Sequence, residues 1–172
     1  MNDMLELIKT RRSVRKYKPD PVPAELLDQV LEAGTWAATA KNDQGPIILA
    51  VTDKATRDLL SRLNAAVTGT TADPFYGAPA VLVVLSRKDK GRPVCDGSLV
   101  LGNLMLAAHA LGLGTCWIHR AKEVFETPEG LELLRSLGIE GEYEGVGNCI
   151  IGWPDGDLPA PKPRKENWIY RI

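Results

Sequence analysis

The sequence predicts one globular domain in which α-helices and β-strands alternate. Hydrophobic residues make up 44% of the 172 residues and charged residues 25%, which gives a single domain enough apolar material for a core. Helical and strand-like hydrophobic patterns follow one another along the chain without a linker or an internal repeat. We therefore expect one domain covering residues 1–172.

The first half of the chain predicts two helices, then a strand and a third helix. Asp3-Met4-Leu5-Glu6 resembles a capping box and opens a helix that continues through Ile8 toward Arg11. Pro23 suits the first turn of a second helix, whose apolar residues keep helical spacing to about Trp36–Ala38. The elements that follow are a buried strand at 46–51, a polar helix from about Lys54 to Asn64 and a mobile loop from Val67 to Tyr76.

The second half predicts two more helices among three strands. Residues 80–85 are apolar at every position, so this strand should be buried on both faces. Asp96 can cap a helix that is apolar almost all round, ends near Leu111 and should therefore be central to the core. The other elements are a short strand or extended loop at Thr115 to Ile118, a helix at Pro128 to Leu137 and a last core strand at Val146 to Trp153.

The C-terminal tail, from Leu158 onward, should be extended. Pro159, Pro161 and Pro163 prevent a helix there. The tail ends in Trp168-Ile169-Tyr170, which is too apolar to remain in water. We expect it to dock, either on its own domain or on a partner subunit.

Composition excludes several classes of protein. A pI near 6.1 argues against a general nucleic-acid binder. No apolar run reaches the roughly 18 residues of a membrane span, and the N-terminus does not have the layout of a signal peptide. Cys95, Cys116 and Cys149 lack the spacing of a metal site, and each lies among apolar residues, so we expect reduced thiols in the core and a cytoplasmic protein.

Three polar segments have ligand-binding character. The basic segment, Arg11–Lys18, concentrates cations around one serine in a chain of net charge −1, and the forked donors of arginine suit phosphate. The amide segment, Thr39–Pro46, carries Asn42 and Gln44, whose donors and acceptors can read the edge of a planar heterocycle. The glycine segment, Gly112–Arg120, has glycines that allow close approach of a ligand to the backbone.

Each segment alone also has an ordinary structural explanation. The basic segment can be a solvated turn, the amide segment a polar turn, and the glycine segment a helix C-cap followed by a strand. The segments are more informative together. Arg11-Arg12-Ser13-Val14-Arg15, the amide segment, residues 107–118 and the tail sequence Pro161-Lys162-Pro163-Arg164-Lys165 follow in an order that closely resembles the FMN-dependent nitroreductase family over nearly the whole chain.

The resemblance implies a fold, an assembly and a set of cofactors. The fold would be a three-layer α+β fold with a central, mostly antiparallel sheet flanked by helices. The assembly would be an intertwined homodimer with FMN at the subunit interface and an exchanged C-terminal tail. NADH or NADPH would be the electron donor.

The resemblance also implies roles for individual residues. Arg11, Arg12 and Ser13 would bind the phosphate and ribityl end of FMN, and Arg15 the flavin N1–O2 edge. Arg164, with Lys162 or Lys165, would close on the phosphate. In the amide segment, Asn42 would contact the pyrimidine part of the ring from its own chain with Gln44 close by, whereas Thr39 would come from the partner. Ile118, His119 and Arg120 would form the loop whose backbone N–H faces flavin N5.

The activity implied is reduction of nitroaromatics, quinones or related acceptors by ping-pong hydride transfer through flavin N5. The flavin carries the chemistry, so no catalytic side chain is required. His109 and His119 are the only histidines, and His109 is interpreted as a core residue. Gly45-Pro46 stands where the family usually has Pro-Trp, and the chain lacks the long insertion of many members. An FMN-binding module or redox sensor with little turnover, or a flavin enzyme with a dedicated non-nitro substrate, therefore remains an alternative.

Overall fold

The computed structural model describes residues 3–172 and is built around a four-stranded antiparallel sheet of order β1-β2-β4-β3. The strands are β1 (Pro46–Val51), β2 (Ala80–Arg87), β3 (Gly114–Ile118) and β4 (Tyr143–Gly152). The helices are α1 (Asp3–Thr10), α2 (Ala24–Thr35), α3 (Lys54–Val67), α4 (Pro93–Ala110), α5 (Ala121–Val124) and α6 (Pro128–Ser136), with a 3-10 turn at Ala40–Asn42. Residues 1 and 2, which belong to the expected domain and to the N-terminus considered above, lie outside the described residues.

Strand β2 explains why the fold has three layers. Alternate side chains of a strand point to opposite faces of the sheet. Val81, Val83 and Leu85 accordingly join one apolar cluster with α3, α5 and α6, whereas Leu82 and Val84 join a second cluster with α2 and α4. Both faces of β2 are buried, as its continuous apolar run predicts. The α+β, mostly antiparallel architecture is confirmed.

The structure corrects the predicted start of helix α4. The helix begins at Pro93 with Arg92 at the N-cap, so Asp96 lies in the first turn. Proline is favoured at this first position because its fixed φ suits a helix and its missing N–H has no partner to lose. The Asp96 carboxylate accepts the Arg92 N–H at 3.2 Å, so it still satisfies the helix end, but from inside the helix.

Other boundaries agree within a few residues, and three features differ from the predictions. Helix α5 and the 3-10 turn were not predicted, because they are too short to show a hydrophobic period. Cys95 is exposed on α4, so its assignment to the core is wrong, whereas Cys116 and Cys149 are buried. Burial raises the pKa of the Cys149 thiol to about 12, with a further contribution from Cys116.

Several apolar side chains are exposed on the single chain. Helix α1 buries none of its residues, and Leu99 projects from α4 with half of its surface exposed. In the tail, residues 156–172 form neither helix nor strand, and Trp168, Ile169 and Tyr170 are exposed. The tail therefore does not bury its apolar end on its own domain. Among the described residues, none of the helices is both long and apolar enough to cross a membrane.

Candidate functional site

The basic segment lies along the free edge of β3. Ser13 forms a parallel bridge with Thr115, and the Val14 N–H donates to the Thr115 carbonyl at 2.8 Å. Gly114 makes this approach possible, since a Cβ there would lie 2.9 Å from the Val14 Cβ. The glycine segment thus serves packing at this position, and Gly112, with φ of 77°, follows the end of α4. Both glycines match the ordinary structural explanation rather than close approach to a ligand.

The structure brings most of the predicted phosphate-binding residues to one cavity. This cavity has a volume of about 810 Å³ and is lined by Arg11, Arg12, Ser13, Arg15, Lys162 and Arg164, together with Ile8, Lys9 and residues 159–161. Lys165 does not line it, because its Nζ lies 5.1 Å from the centre of the Trp168 ring. Two segments that are almost 150 positions apart in the sequence therefore present their cations to the same space.

Arg11 lines this cavity and also carries a buried donor atom. Its Nη1 is buried and has no hydrogen-bond partner among residues 3–172. The Nη1 of Arg12, in contrast, donates to the Lys9 and Arg11 carbonyls at 2.7 and 2.8 Å. A buried guanidinium donor without an acceptor is costly, so an anionic group bound in the cavity would stabilise Arg11.

His109, in the last turn of α4, lies close enough to Arg11 and Arg12 to interact with their charges. Its Nε2 is 3.0 Å from Thr10 Oγ1, and that hydroxyl donates to the Glu6 carbonyl. Burial, followed by the charges of Arg11 and Arg12, lowers the pKa of His109. His109 is hydrogen-bonded but only half-buried and lies outside both apolar clusters, so its assignment to the core is wrong.

The amide segment is strained and firmly anchored. Lys41, Asn42 and Gln44 all have positive φ, between 49° and 56°, which is uncommon for residues other than glycine. The Ala40 N–H donates to Asp96 Oδ1 at 3.0 Å, and the Gln44 N–H donates to Thr39 Oγ1 at 3.1 Å. Strain of this kind persists only where surrounding contacts determine the conformation, and it is typical of functional sites.

One chain does not bring the amide segment to the basic segment. Asp96, which binds the amide segment, and His109, which binds Thr10, are thirteen residues apart on α4. At the rise of an α-helix, these two anchor points are about 20 Å apart. Thr39 and Gln44 line a different, largely apolar cavity of about 550 Å³ beside β1 and α2, which Asn42 does not line.

The structure places Ile118, His119 and Arg120 at the end of β3, on the same edge as the basic segment. The Ile118 and His119 carbonyls accept hydrogen bonds from buried asparagine side chains of other elements. Arg120 has φ of 78°, and its guanidinium donates to Glu123 at 2.8 Å. The backbone at this turn is therefore fixed, and the Arg120 side chain is paired along α5.

Sequence reasoning missed a second fixed turn beside Arg15. Asp73 accepts hydrogen bonds from Arg57 (2.6 Å), Ser61 (2.5 Å) and the N–H groups of Phe75 and Gly77. The second half of the loop predicted to be mobile is therefore held in place. The centre of the exposed Tyr76 ring lies 6.0 Å from the guanidinium carbon of Arg15. Tyr76 itself has φ of 52°. The sequence signal that could have indicated this turn is the Asp73-Pro74 pair, which is typical of turns and is followed by two aromatic residues.

Comparison with known proteins identifies relatives over most of the chain. The Nitroreductase family model matches residues 8–156. A Methanothermobacter thermautotrophicus protein whose name includes NADH dehydrogenase/NAD(P)H nitroreductase is 33% identical, over 89% of this chain and 84% of its own. The FMN reductase [NAD(P)H] of Bacillus subtilis is 26% identical, over 95% of this chain and 70% of its own. A Bacteroides fragilis nitroreductase solved with bound FMN superposes with a TM-score of 0.91, at 28% identity and with both chains covered completely.

Proposed function

Because this chain belongs to the nitroreductase family, we propose that it is an FMN-dependent oxidoreductase that uses NADH or NADPH to reduce nitroaromatics, quinones or related acceptors. The observation that carries the proposal is the cavity in which arginines of the basic segment meet Lys162 and Arg164 of the tail. Arg11, which lines it, also has a buried Nη1 without a hydrogen-bond partner among the described residues. A phosphate monoester supplies the acceptor oxygens that this donor lacks. The residues present therefore fit the phosphate end of FMN.

The cavity suggests how the chain would hold its cofactor. Arg11, Arg12 and Ser13, with Arg164 and Lys162, would bind the phosphate and ribityl end. Arg15, next along the same edge of β3, would place its positive charge at the pyrimidine edge of the ring. Lys165, which the structure turns toward Trp168, is a weaker candidate for the phosphate.

The amide segment requires a revised assignment. Thr39, Asn42 and Gln44 belong to one hydrogen-bonded turn, in which Gln44 Nε2 donates to Asn42 Oδ1 at 3.3 Å. This turn lies at the opposite end of α4 from the basic segment. We therefore infer that all three residues reach a flavin bound to the partner subunit, instead of Asn42 and Gln44 serving their own chain.

A homodimer also accounts for the exposed apolar surface. Strand β1 is an edge strand, and the apolar cavities on either side of it are open. The exposed Trp168-Ile169-Tyr170 of one tail can bury itself by pairing with such an edge on the partner. Lys162 and Arg164 precede this apolar end and line the cavity of their own chain. They would then lie close to the subunit boundary.

When bound, FMN would supply the redox chemistry that links oxidation of the nicotinamide to reduction of the acceptor, in a ping-pong sequence. The chain's residues would bind and orient both partners of that exchange. The fixed turn at His119 and Arg120 would present backbone to the ring, and Tyr76 stands at the rim beside Arg15. A cytoplasmic location stays a prediction.

The absorbance spectrum of the purified protein tests the proposal directly. We expect a yellow protein, or one that becomes yellow when FMN is added and retains the flavin through gel filtration. Initial rates with NADH or NADPH should give parallel double-reciprocal lines as a nitroaromatic or a quinone is varied. A colourless protein that does not change on addition of FMN would refute the proposal.

The same measurements separate the two alternatives. A yellow protein that oxidises neither nicotinamide would be an FMN-binding module or redox sensor. A yellow protein that oxidises NADH or NADPH but reduces neither acceptor would be a flavin enzyme with a dedicated substrate, to be identified from its products.

A further inference from the structure

We propose that Asn64 and Asn148 are positioning residues that fix the peptide between His119 and Arg120, so that its N–H faces the bound flavin. The inference rests on the proposed function for the identity of the ligand. These two asparagines and the carbonyl that they bind, called the clamp below, are a feature of this chain and can be tested without a ligand.

Two buried amides converge on one carbonyl group. Asn64, on α3, is 3% exposed, and its Nδ2 donates to the His119 carbonyl at 2.7 Å. Asn148, on β4, is 2% exposed, and its Nδ2 lies 3.2 Å from the same carbonyl and 3.3 Å from that of Ile118. Buried amide groups are expensive unless they are hydrogen-bonded, and here both are used on a single turn of backbone.

The direction of the carbonyl fixes the direction of the N–H. In a trans peptide the C=O and the following N–H point in opposite directions. The His119 carbonyl points inward to Asn64 and Asn148, so the Arg120 N–H points outward. This N–H makes no hydrogen bond within the part of the chain that the structure describes. The free donor therefore faces away from the protein interior.

The backbone conformation of Arg120 has to be held in place by neighbouring contacts. Arg120 adopts φ of 78°, a left-handed conformation that side-chain-bearing residues rarely adopt. Such strain persists where neighbouring contacts over-determine it. Asn64 and Asn148 belong to two different elements, α3 and β4, and their hydrogen bonds to the His119 carbonyl supply such contacts.

The position of the turn gives the free N–H a ligand to face. Strand β3 ends at Ile118, and Ser13 of the basic segment bridges the same strand at Thr115. The turn and Ser13 therefore lie at two places on one edge of the sheet. A flavin whose phosphate was bound near Arg11 and whose ring faced the turn would lie against this edge.

The test compares Asn64→Ala with Asn103→Ala. Asn103 is a matched control, because its Nδ2 also donates to a backbone carbonyl of another element, that of Ala33 at 3.0 Å, but on α4 and away from the turn. Asn64 lies on α3, where alanine is well tolerated, and Asn148→Ala repeats the test from the sheet. If Asn148→Ala fails to fold, Asn64→Ala alone decides.

Three readouts are measured on each variant. In the apoprotein, the amide resonance of ¹⁵N-labelled Arg120 should move in Asn64→Ala and not in Asn103→Ala. With FMN bound, the midpoint potential of the flavin should shift, and the single-turnover rate of its reduction by NADPH or NADH should fall roughly ten- to a hundredfold, as for a displaced backbone donor. The FMN dissociation constant should stay within about threefold, because the phosphate contacts are intact.

The outcomes distinguish the two proposals. If Asn64→Ala matches Asn103→Ala in amide shift, potential and rate, the positioning role is wrong while the proposed function stands. If the amide moves but the potential and rate do not, the clamp exists and does not serve the flavin, which also overturns the inference. A wild-type protein that binds no FMN overturns the proposed function before any variant is compared.

Discussion

Arg11 and Lys18 belong to the same basic segment, but their surroundings differ. Arg11 Nη1 is buried and has no acceptor within residues 3–172. Lys18 is exposed and takes part in the fold through its backbone N–H, which donates to the Trp153 carbonyl. We predict that Arg11→Ala weakens FMN binding by roughly ten- to a hundredfold, since a hydrogen bond to a charged group contributes about 1.5–3 kcal/mol.

Lys18→Ala is the control for this experiment and should leave FMN affinity unchanged. Fluorescence titration of the apoprotein with FMN measures both dissociation constants. Equal and small effects at Arg11 and Lys18 would mean that the basic segment is only a solvated turn.

Asp73 is a residue whose charge stabilises the fold. Burial by itself raises the pKa of Asp73, but hydrogen bonds from Arg57, Ser61, Gly77 and Phe75 outweigh it and lower the pKa to about 2. The unfolded chain has an ordinary aspartate pKa of about 3.9. The Asp73 contribution to stability is therefore present above about pH 4 and is lost as the pH falls toward 2.

We predict that Asp73→Asn lowers the free energy of unfolding at pH 7 and that the difference from wild type shrinks between pH 4 and 2. Urea unfolding at pH 7, 4 and 2.5 measures this. Asp28→Asn, at an exposed position of α2, should show no such convergence. A difference for Asp73→Asn that is constant with pH would show that the network does not depend on the charge.

At the scale of elements, the first turn of α4 holds the amide segment. The buried carboxylate of Asp96 accepts N–H groups from Ala40 and Arg92, and Asp43 accepts the Gly91 N–H at 3.2 Å. A Cβ on Gly91 would lie 2.4 Å from Asp96 Oδ2, so the two turns are packed directly together. The carboxylates of Asp96 and Asp43 thus join the strained amide segment to the start of α4.

We predict that Asp96→Ala destabilises the protein by about 1–3 kcal/mol, because it leaves buried N–H groups unsatisfied, and also weakens FMN binding. Asp53→Ala is the matched control. It removes the N-cap of α3, where Asp53 accepts the Thr56 N–H at 2.8 Å, and should lower stability without affecting FMN binding. Urea unfolding and FMN titration give both quantities, and equal FMN affinities in the two variants would contradict the prediction.

Asn42 allows the strain of the amide segment to be separated from its binding role. Its φ of 56° favours glycine over alanine. We predict that Asn42→Gly and Asn42→Ala both fold and lose FMN affinity to the same extent, whereas Asn42→Gly is the more stable by about 1 kcal/mol, the cost of a Cβ in the left-handed conformation. Thermal unfolding and FMN titration test this. An unfolded Asn42→Ala would assign the residue to the structural framework.

Hydrophobic periodicity predicted the long elements because it records what they bury. Strand β1 was predicted with its observed bounds, and helix α6 to within one residue. Features that depend on contacts distant in sequence were not predictable. The exposure of Cys95, the hydrogen bonds of Asp73 and the convergence of Asn64 and Asn148 on one carbonyl each require the tertiary fold.

At the scale of the molecule, the candidate site is incomplete in one chain. The sequence predicted its components as three polar segments and a basic tail, because charge and amide groups are visible in a sequence. It did not predict that α4 separates two of them by about 20 Å, because that distance depends on what packs at each helix end. Thr39, Asn42 and Gln44 can meet Arg11 and Arg15 in one site only across a subunit boundary.

In the proposed function, the tail serves both the dimer and the cofactor site. It contributes Lys162 and Arg164 to the cavity of the basic segment and leaves Trp168, Ile169 and Tyr170 exposed. Exposed apolar residues of this kind gain stability by burial, and exchange between protomers is an accessible route to it.

We predict that deleting the chain from Pro161 onward converts the proposed dimer to a monomer and releases FMN, because the deletion would remove the proposed phosphate contact and intersubunit strand together. Sedimentation of the truncated protein, read together with its flavin absorbance, measures both effects. A double variant, Lys162→Ala with Arg164→Ala, is the control that separates them: it should lose FMN affinity and remain dimeric, because the apolar end is intact. A truncated protein that stays a yellow dimer would mean that the tail neither closes on the phosphate nor crosses to the partner, and its apolar end would then have to be buried elsewhere.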